Sequence, residues 1–466
     1  MRQGYFETEE RIHVSPTPLK GSHFSKSLHQ RPFLLFFQGV LLNGFQQSLH
    51  NHLLVRSKIK RSEIPLDIKI CDAIMGAGKT SAAINYMNDS PGKFIFITPY
   101  LKECDRIIDN CPIKNFKSPK DKPRSKLLNL HFLLERGFNI SSTHALFASY
   151  TDETIRLIRE GHYTLIMDEV FEIVKEINVS KGDVMDLLAN GYIEIDKETC
   201  RVKWLNDNYV GTTFQDLMLR AKAGTLLYYN DTFLFWMFPP EVFQAFDEVI
   251  VLTYLFEAQL QKYYFDINGF SYRYIGVEQR GGSFYFSETG NQFTKIAGLK
   301  EKVHIFDNKK LNSVGDDKFA LSSSWSERHF RNPVSCAKMR DGLYNVLRHY
   351  YSGKGGNSMW TSFKAQKDRL TPNGFKNCFV SCSCRATNEY RGKKNLAYCV
   401  NIFFNPFLKR YFEEHGCVVD EDKYALSEMI QWIWRSAIRD GHEINIYIPS
   451  KRMRNLLTNW LNEVSI

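Results

Sequence analysis

The residues best placed to do chemistry are Ala73-Ile74-Met75-Gly76-Ala77-Gly78-Lys79-Thr80, set between the strand-like run DIKICD and the helix-forming Ser81, Ala82, Ala83 and Ile84. Strand, glycine-containing turn and helix in that order suit a triphosphate. The glycines let backbone N–H groups approach phosphate oxygens, and the helix N-terminus adds a favourable dipole. Ala73, Gly76, Ala77, Gly78, Lys79 and Thr80 would form the cradle, with Lys79 on the β and γ phosphates and the Thr80 hydroxyl on Mg²⁺. Ala73 stands where the G-x-x-x-x-G-K-[ST] pattern has its first glycine.

A second group lies about ninety residues on, where the apolar strand YTLIM runs into Asp168 and Glu169. An acid at that place can orient Mg²⁺ through Asp168, while Glu169 polarises the water that attacks the γ phosphate. A third is QWIWRSAIR (431–439), expected on a helix. Spacing by four puts Gln431, Arg435 and Arg439 on one helical face. Arginine offers a rigid fork of donors suited to phosphate; the other reading is a basic face on a surface helix.

The elements that would position these residues follow a repeated strand–turn–helix pattern from Ile64. KFIFITPY (93–100) is a continuous apolar run of the kind buried in a parallel sheet, and HALFAS (144–149), YTLIMDEV (163–170) and EVIVLTYLF (248–256) supply further strands, the last closing the first domain. The alternation implies a doubly wound parallel sheet, with ligands at the carboxyl ends of its strands. YIEIDKETCRVKWL (192–205) alternates like a hairpin and reads as an insertion. Gly281 and Gly282 after Arg280 read as a turn rather than a nucleic-acid-binding Arg-Gly-Gly segment.

A second α/β pattern follows about residue 325: a long helical stretch, SMWTSFK, the strand-like NCFVSCSCRATNEY, a helical run from Tyr424 to Arg439, INIYIP and a closing helix. The expected division is a basic N-terminal extension (1–62), a first ATPase domain (63–260), a β-rich connection or domain edge (261–324) and a second domain (325–466). The extension carries nine Lys or Arg against three Glu.

At 466 residues the chain can hold two or three domains, and 43% hydrophobic content excludes wholesale disorder. A formal charge of +10 favours a polyanionic partner such as nucleic acid. Ten scattered cysteines read as reduced thiols of a cytoplasmic protein. Cys378, Cys382 and Cys384 form the one tight group, without the second pair that a zinc site needs. FLLFFQGVLL (33–42) is too short to span a bilayer, which needs about 20 apolar residues, so no membrane span and no secretion are expected.

AIMGAGKT, DEVF and QWIWRSAIR occur in the order of motifs I, II and VI of superfamily 2 helicases, and the chain resembles the DEAD-like helicases that phages and other mobile elements encode for replication. That resemblance implies two tandem RecA-like parallel-sheet domains with a cleft between them. It implies ATP and Mg²⁺ as cofactors and nucleic acid as partner, DNA favoured over RNA because DEVF departs from DEAD. TPY (98–100) looks like motif Ia, STHALF (142–147) like a strand-contacting motif, LTY (252–254) stands in the place of motif III and RATNEY (385–390) near that of motif V. Motif VI departs from Q-x-x-G-R-x-x-R, with Trp434 for the glycine, so either Arg435 or Arg439 is the candidate finger. The expected activity is ATP hydrolysis coupled to translocation or unwinding. Two alternatives are an ATP-regulated origin-binding or loader protein that unwinds nothing, and a phage DNA-packaging ATPase. The latter needs separated nuclease acids, whereas Asp420, Glu421 and Asp422 are contiguous.

Overall fold

The structure is a computed structural model that describes residues 66–123, 125–289, 296–383 and 389–465. The basic extension, FLLFFQGVLL and Arg385 to Asn388 of RATNEY lie outside the described residues.

The first sheet is built from strands β1 (Asp67–Asp72), β2 (Lys93–Thr98), β3 (Ile140–Thr143), β4 (Tyr163–Asp168), β10 (Glu248–Thr253), β11 (Tyr272–Arg280) and β12 (Ser283–Ser287). Their order is β12-β11-β1-β10-β4-β2-β3, parallel throughout except for the β11–β12 hairpin. Alternate residues of the inner strands enter two different cores. Ile95, Ile97, Leu165, Met167, Val249 and Val251 face one. Phe94, Phe96, Ile166, Ile250 and Leu252 face the other, beneath the helices Lys79–Asp89 and Leu101–Asn110. Burial on both faces is why these strands read as unbroken apolar runs.

Three expectations are corrected here. HALFAS is not a strand: β3 ends at Thr143, and His144–Phe147 is a helical turn. The strand hides in Ile140-Ser141-Ser142-Thr143, whose Ser141 is buried with its hydroxyl donating to Cys104 O (3.3 Å), so polar residues stand where apolar ones would have marked it. EVIVLTYLF does not close the first sheet. β10 lies inside it, between β1 and β4, and β11 follows on the far side of β1. NCFVSCSC contributes a single turn (Lys376–Cys378) and one bridge from Phe379 to Trp360 rather than a strand.

Between β4 and β10 the chain forms β5 (Val174–Glu176), the antiparallel hairpin β6 (Ile193–Ile195) with β7 (Val202–Trp204), and β8 (Leu226–Tyr229) with β9 (Phe233–Met237). β5, β9 and β8 make a small antiparallel sheet.

The second main sheet is four parallel strands in the order β13-β16-β15-β14: β13 (Val303–Ile305), β14 (Ser358–Thr361), β15 (Asn395–Tyr398) and β16 (Ile444–Tyr447). The segment 261–324 is therefore shared out, β11 and β12 joining the first sheet and β13 the second.

The two lobes are packed together. Phe233 of β9 stacks on Phe407 at 5.1 Å, and the Tyr229 hydroxyl donates to Glu414 (2.6 Å), both partners lying on the helix Pro406–Glu414. On the other side of the interface, Ile74, Tyr254, Leu255 and Ala258 belong to the same apolar cluster as Leu426, Ile430, Trp434 and Trp460 of the second lobe, with Met75 and Ala77 packed against it. The Trp460 indole N–H donates to the Tyr254 hydroxyl (3.0 Å).

One buried carboxylate fastens this arrangement. Asp72, at the end of β1, accepts N–H bonds from Leu255 (2.8 Å) and Phe256 (2.9 Å) just beyond β10. Burial raises its pKa, and the two backbone donors oppose the rise. Replacing Asp72 with alanine leaves both buried N–H groups without their acceptor. We expect a loss of about 2–4 kcal/mol in denaturant unfolding; an unchanged midpoint would show that the bonds do not hold the loop.

Candidate functional site

The helix Lys79–Asp89 starts directly after Gly78, which caps it in the left-handed conformation (φ 89°); Gly76 is also left-handed (φ 92°). These two positions need glycine, because a side chain disfavours that backbone. A Cβ built on Gly76 meets no atom within 4 Å. The first N–H groups of a helix have no partner within it, so this turn presents donors to an anion.

Lys79 folds back over the turn, its ammonium donating to the carbonyl oxygens of Ala73 and Ile74, the latter at 3.1 Å. Burial pulls its pKa down, opposed by Cys71, Asp168, Glu169 and Asp72.

β1 and β4 are separated by β10 alone, a gap of about 10 Å between strand axes. The curled turn closes it: the Thr80 hydroxyl donates to Asp168 Oδ1 at 3.4 Å. Burial and the neighbouring Glu169 push Asp168 up to about 7, against the pull of Lys79 and Thr80. A hydroxyl and a carboxylate are the hard oxygen donors that Mg²⁺ takes, so this pair fits the metal. No cluster of three or more His, Cys, Asp or Glu side chains that could hold a metal is found among the described residues.

Glu169 is left-handed at φ 63°, its N–H bonded to Leu252 O (2.9 Å). A non-glycine residue held there is strained, which turns the chain sharply at the strand end. His144 contacts the Asp168 carbonyl through Nε2 (3.1 Å), and Gln261 accepts the Phe171 N–H (3.2 Å) and donates to Met167 Sδ (3.6 Å).

The second lobe contributes from the stretch Gln431 to Arg439, though not from one helical face as its spacing suggested. The helix Glu421–Ile433 stops before Arg435, and Ala437–Asp440 is a short 3₁₀ turn. Two bonds explain the stop. The Ser436 hydroxyl donates to Ile433 O (2.6 Å), and the Ala437 N–H is taken by Lys393 O (3.0 Å), so no further helical turn can form.

Arg435 is buried at 5% exposure, and its Nε has no hydrogen-bond partner among the described residues. Leaving a buried guanidinium N–H unpaired is costly, and an incoming anion would satisfy it. Arg439 is half-buried; burial and Arg391 lower its pKa, while Asp440 and Glu169 oppose the shift. Arg439 thus stands within electrostatic reach of Glu169 across the lobe boundary. Gln431 donates to Ser427 Oγ (3.3 Å), which also accepts from the buried Gln259 of the first lobe (2.5 Å). Reading the sequence missed Asp72, His144, Gln259 and Gln261; only Asp72, a lone acid ending an apolar strand, carried a local signal.

The comparisons with known proteins come in two kinds. Residues 174–236 match a family model described as the YonV middle domain, and residues 297–461 one described as the YonV C-terminal Rossmann-like domain. The chain is 42% identical over 410 residues to the SPbeta prophage-derived uncharacterized protein YonV of Bacillus subtilis (strain 168), covering 84% of this chain and 98% of that protein. The chain belongs to the YonV family. Among solved structures, one titled XPD helicase aligns at TM-score 0.44 and 11% identity, covering 86% of this chain and 96% of its own. A second, titled XPD apo, aligns at TM-score 0.46 and 12% identity over 84% and 95%. No helix among the described residues is long and apolar enough to cross a membrane.

Asp168 must be ionised to bind a metal, and its proton is held to about pH 7. Binding of a Mg²⁺–nucleotide should therefore release a proton and strengthen as pH rises through that value, by up to about tenfold per unit below it. Titration with a fluorescent nucleotide between about pH 6 and pH 8 measures this. Asp168→Asn should flatten the profile; a flat wild-type profile would contradict the assignment.

Proposed function

We propose that the chain is an ATP-driven, Mg²⁺-dependent nucleic-acid motor of helicase or translocase type, acting on DNA in the replication of a phage or related mobile element inside the host cytoplasm. The observation that carries this reading is the buried Arg435 with its unsatisfied Nε, beside Arg439, which interacts with the Glu169 carboxylate of the other lobe.

In this reading the turn Gly76–Thr80 binds the phosphates through its backbone N–H groups, and Lys79 leaves the Ala73 and Ile74 carbonyls to neutralise the β and γ oxygens. Mg²⁺, when held by Thr80 and Asp168, would offset the phosphate charge. Glu169 orients the attacking water and takes its proton. Arg435 and Arg439 meet the charge that builds on the γ phosphate. Phosphate bound to the first lobe and guanidinium groups from the second give the two lobes a nucleotide-dependent attraction. Hydrolysis removes it, and a strand lying across both lobes would be gripped differently before and after. The net charge of +10 supports a polyanionic track. The prophage origin of the 42% identical relative supports the phage setting.

A loader protein that hydrolyses ATP without unwinding shares every one of these residues and is separated only by a strand-displacement assay. For the packaging reading, two of the three contiguous acids are spent locally: Asp420 caps the helix Glu421–Ile433 through the Lys423 N–H (2.9 Å), and Asp422 pairs with Arg452 (2.6 Å).

Steady-state ATP hydrolysis with and without single-stranded DNA tests the proposal. Lys79→Ala and Glu169→Gln should each lower kcat by at least about 10²-fold, and loss of the arginine finger by about 10³-fold or more. Arg435→Ala and Arg439→Ala measured side by side identify which arginine is the finger. Wild-type rates in all four variants would end the reading.

A further inference from the structure

The hairpin β11–β12 is longer than the sheet requires. β11 pairs with β1 only as far as Ile275 opposite Cys71, then runs on to Arg280 before turning at Gly281 and Gly282, both left-handed. Five residues beyond the last paired position carry the tip about 16 Å past it, alongside the phosphate-binding turn. Nothing in the sheet demands this overhang.

One face of the overhang is fixed to the Lys79–Asp89 helix. Phe286 packs on Tyr86 (5.7 Å), and the Asn85 side-chain amide donates to Phe284 O (2.9 Å). Two residues from Phe286, on the same face, the Phe284 ring lies directly against Gly78, where any Cβ would collide with it. Gln279 is the cross-strand partner of Phe284 and therefore shares that face. It is exposed, and among the described residues its Nε2 makes one contact, at 3.5 Å to Gly282 O.

Strand order supplies a direction. The acid pair on β4 lies to one side of β1, and the hairpin to the other. A nucleotide whose terminal phosphate points toward Asp168 and Glu169 must extend its base the opposite way. From this we infer that the β11–β12 hairpin is the base-recognition site, Phe284 offering its ring face to a purine and Gln279 its carboxamide to the edge of adenine. An amide can donate to N7 and accept from the N6 amino group of adenine at once, whereas guanine offers two acceptors there. The inference rests on the nucleotide reading above and deepens it by naming the residues that hold the base.

Isothermal titration of the full chain with Mg²⁺ and ATP, GTP or inorganic tripolyphosphate tests it. The wild type should bind ATP at least about tenfold more tightly than tripolyphosphate, the gain expected from one stacked base. Phe284→Ala should lose that margin while keeping tripolyphosphate affinity within about twofold. Gln279→Ala, a change at an exposed position, should abolish preference for ATP over GTP. Equal loss of ATP and tripolyphosphate in Phe284→Ala would mean that the ring only shapes the turn, and would overturn the inference. A wild type that binds tripolyphosphate as tightly as ATP refutes the base site but leaves the phosphate site standing. One that binds neither refutes both.

Discussion

The buried carboxylate of Asp72 is the constraint from which the site's geometry follows. It ends β1, the strand that feeds the turn Gly76–Thr80, and receives the N–H groups of Leu255 and Phe256. Those bonds hold Leu255 in the left-handed region (φ 55°) and turn the chain after β10 back toward the second lobe. Tyr254, Leu255, Ala258 and Gln259 thereby reach the helix Glu421–Ile433 and Trp460. A carboxylate is suited to the task because it accepts two backbone donors at once and is costly to leave unpaired in the interior.

The second consequence is closeness. With Ile74, Met75 and Ala77 packed into the second lobe's apolar cluster, the proposed phosphate cradle lies on the lobe boundary itself. The charges there are of both signs: Lys79 interacts with Asp168 and Glu169, and Arg439 of the second lobe interacts with Glu169. At short range and away from bulk water such charges interact far more strongly than on a surface. In the proposed reading a polyphosphate entering among them would change the energy of the boundary as well as of the cradle, and so would couple hydrolysis to lobe motion.

Much of this was legible in the sequence because the signals were local. DIKICD before two glycines and Lys-Thr marks a buried strand, a left-handed turn and a helix start, and YTLIM before Asp168 marks another buried strand end. INIYIP did the same for the second sheet. What escaped reading was set by distant partners. Ile140-Ser141-Ser142-Thr143 is a strand because Cys104 offers Ser141 an acceptor, and its composition alone says turn. Asn395–Tyr398 is too short to show a period, and pairs on both sides. The end of the Glu421–Ile433 helix depends on Lys393 O, far away in sequence. The Gln259–Ser427–Gln431 chain crosses the lobes and left no trace in spacing. The overhanging hairpin read as a β-rich connection or domain edge, because its length matters only relative to β1.

The central claim is that guanidinium groups of one lobe complete a phosphate site built by the other. A crystal structure with Mg²⁺, ADP and aluminium fluoride, which mimics the γ phosphate in transfer, tests it most directly. The account predicts Arg435 or Arg439 within hydrogen-bonding distance, about 3 Å, of a fluoride, with Lys79 released from the Ala73 and Ile74 carbonyls. A structure with the analogue seated at Gly76–Thr80 and both arginines still turned away from it would contradict the account.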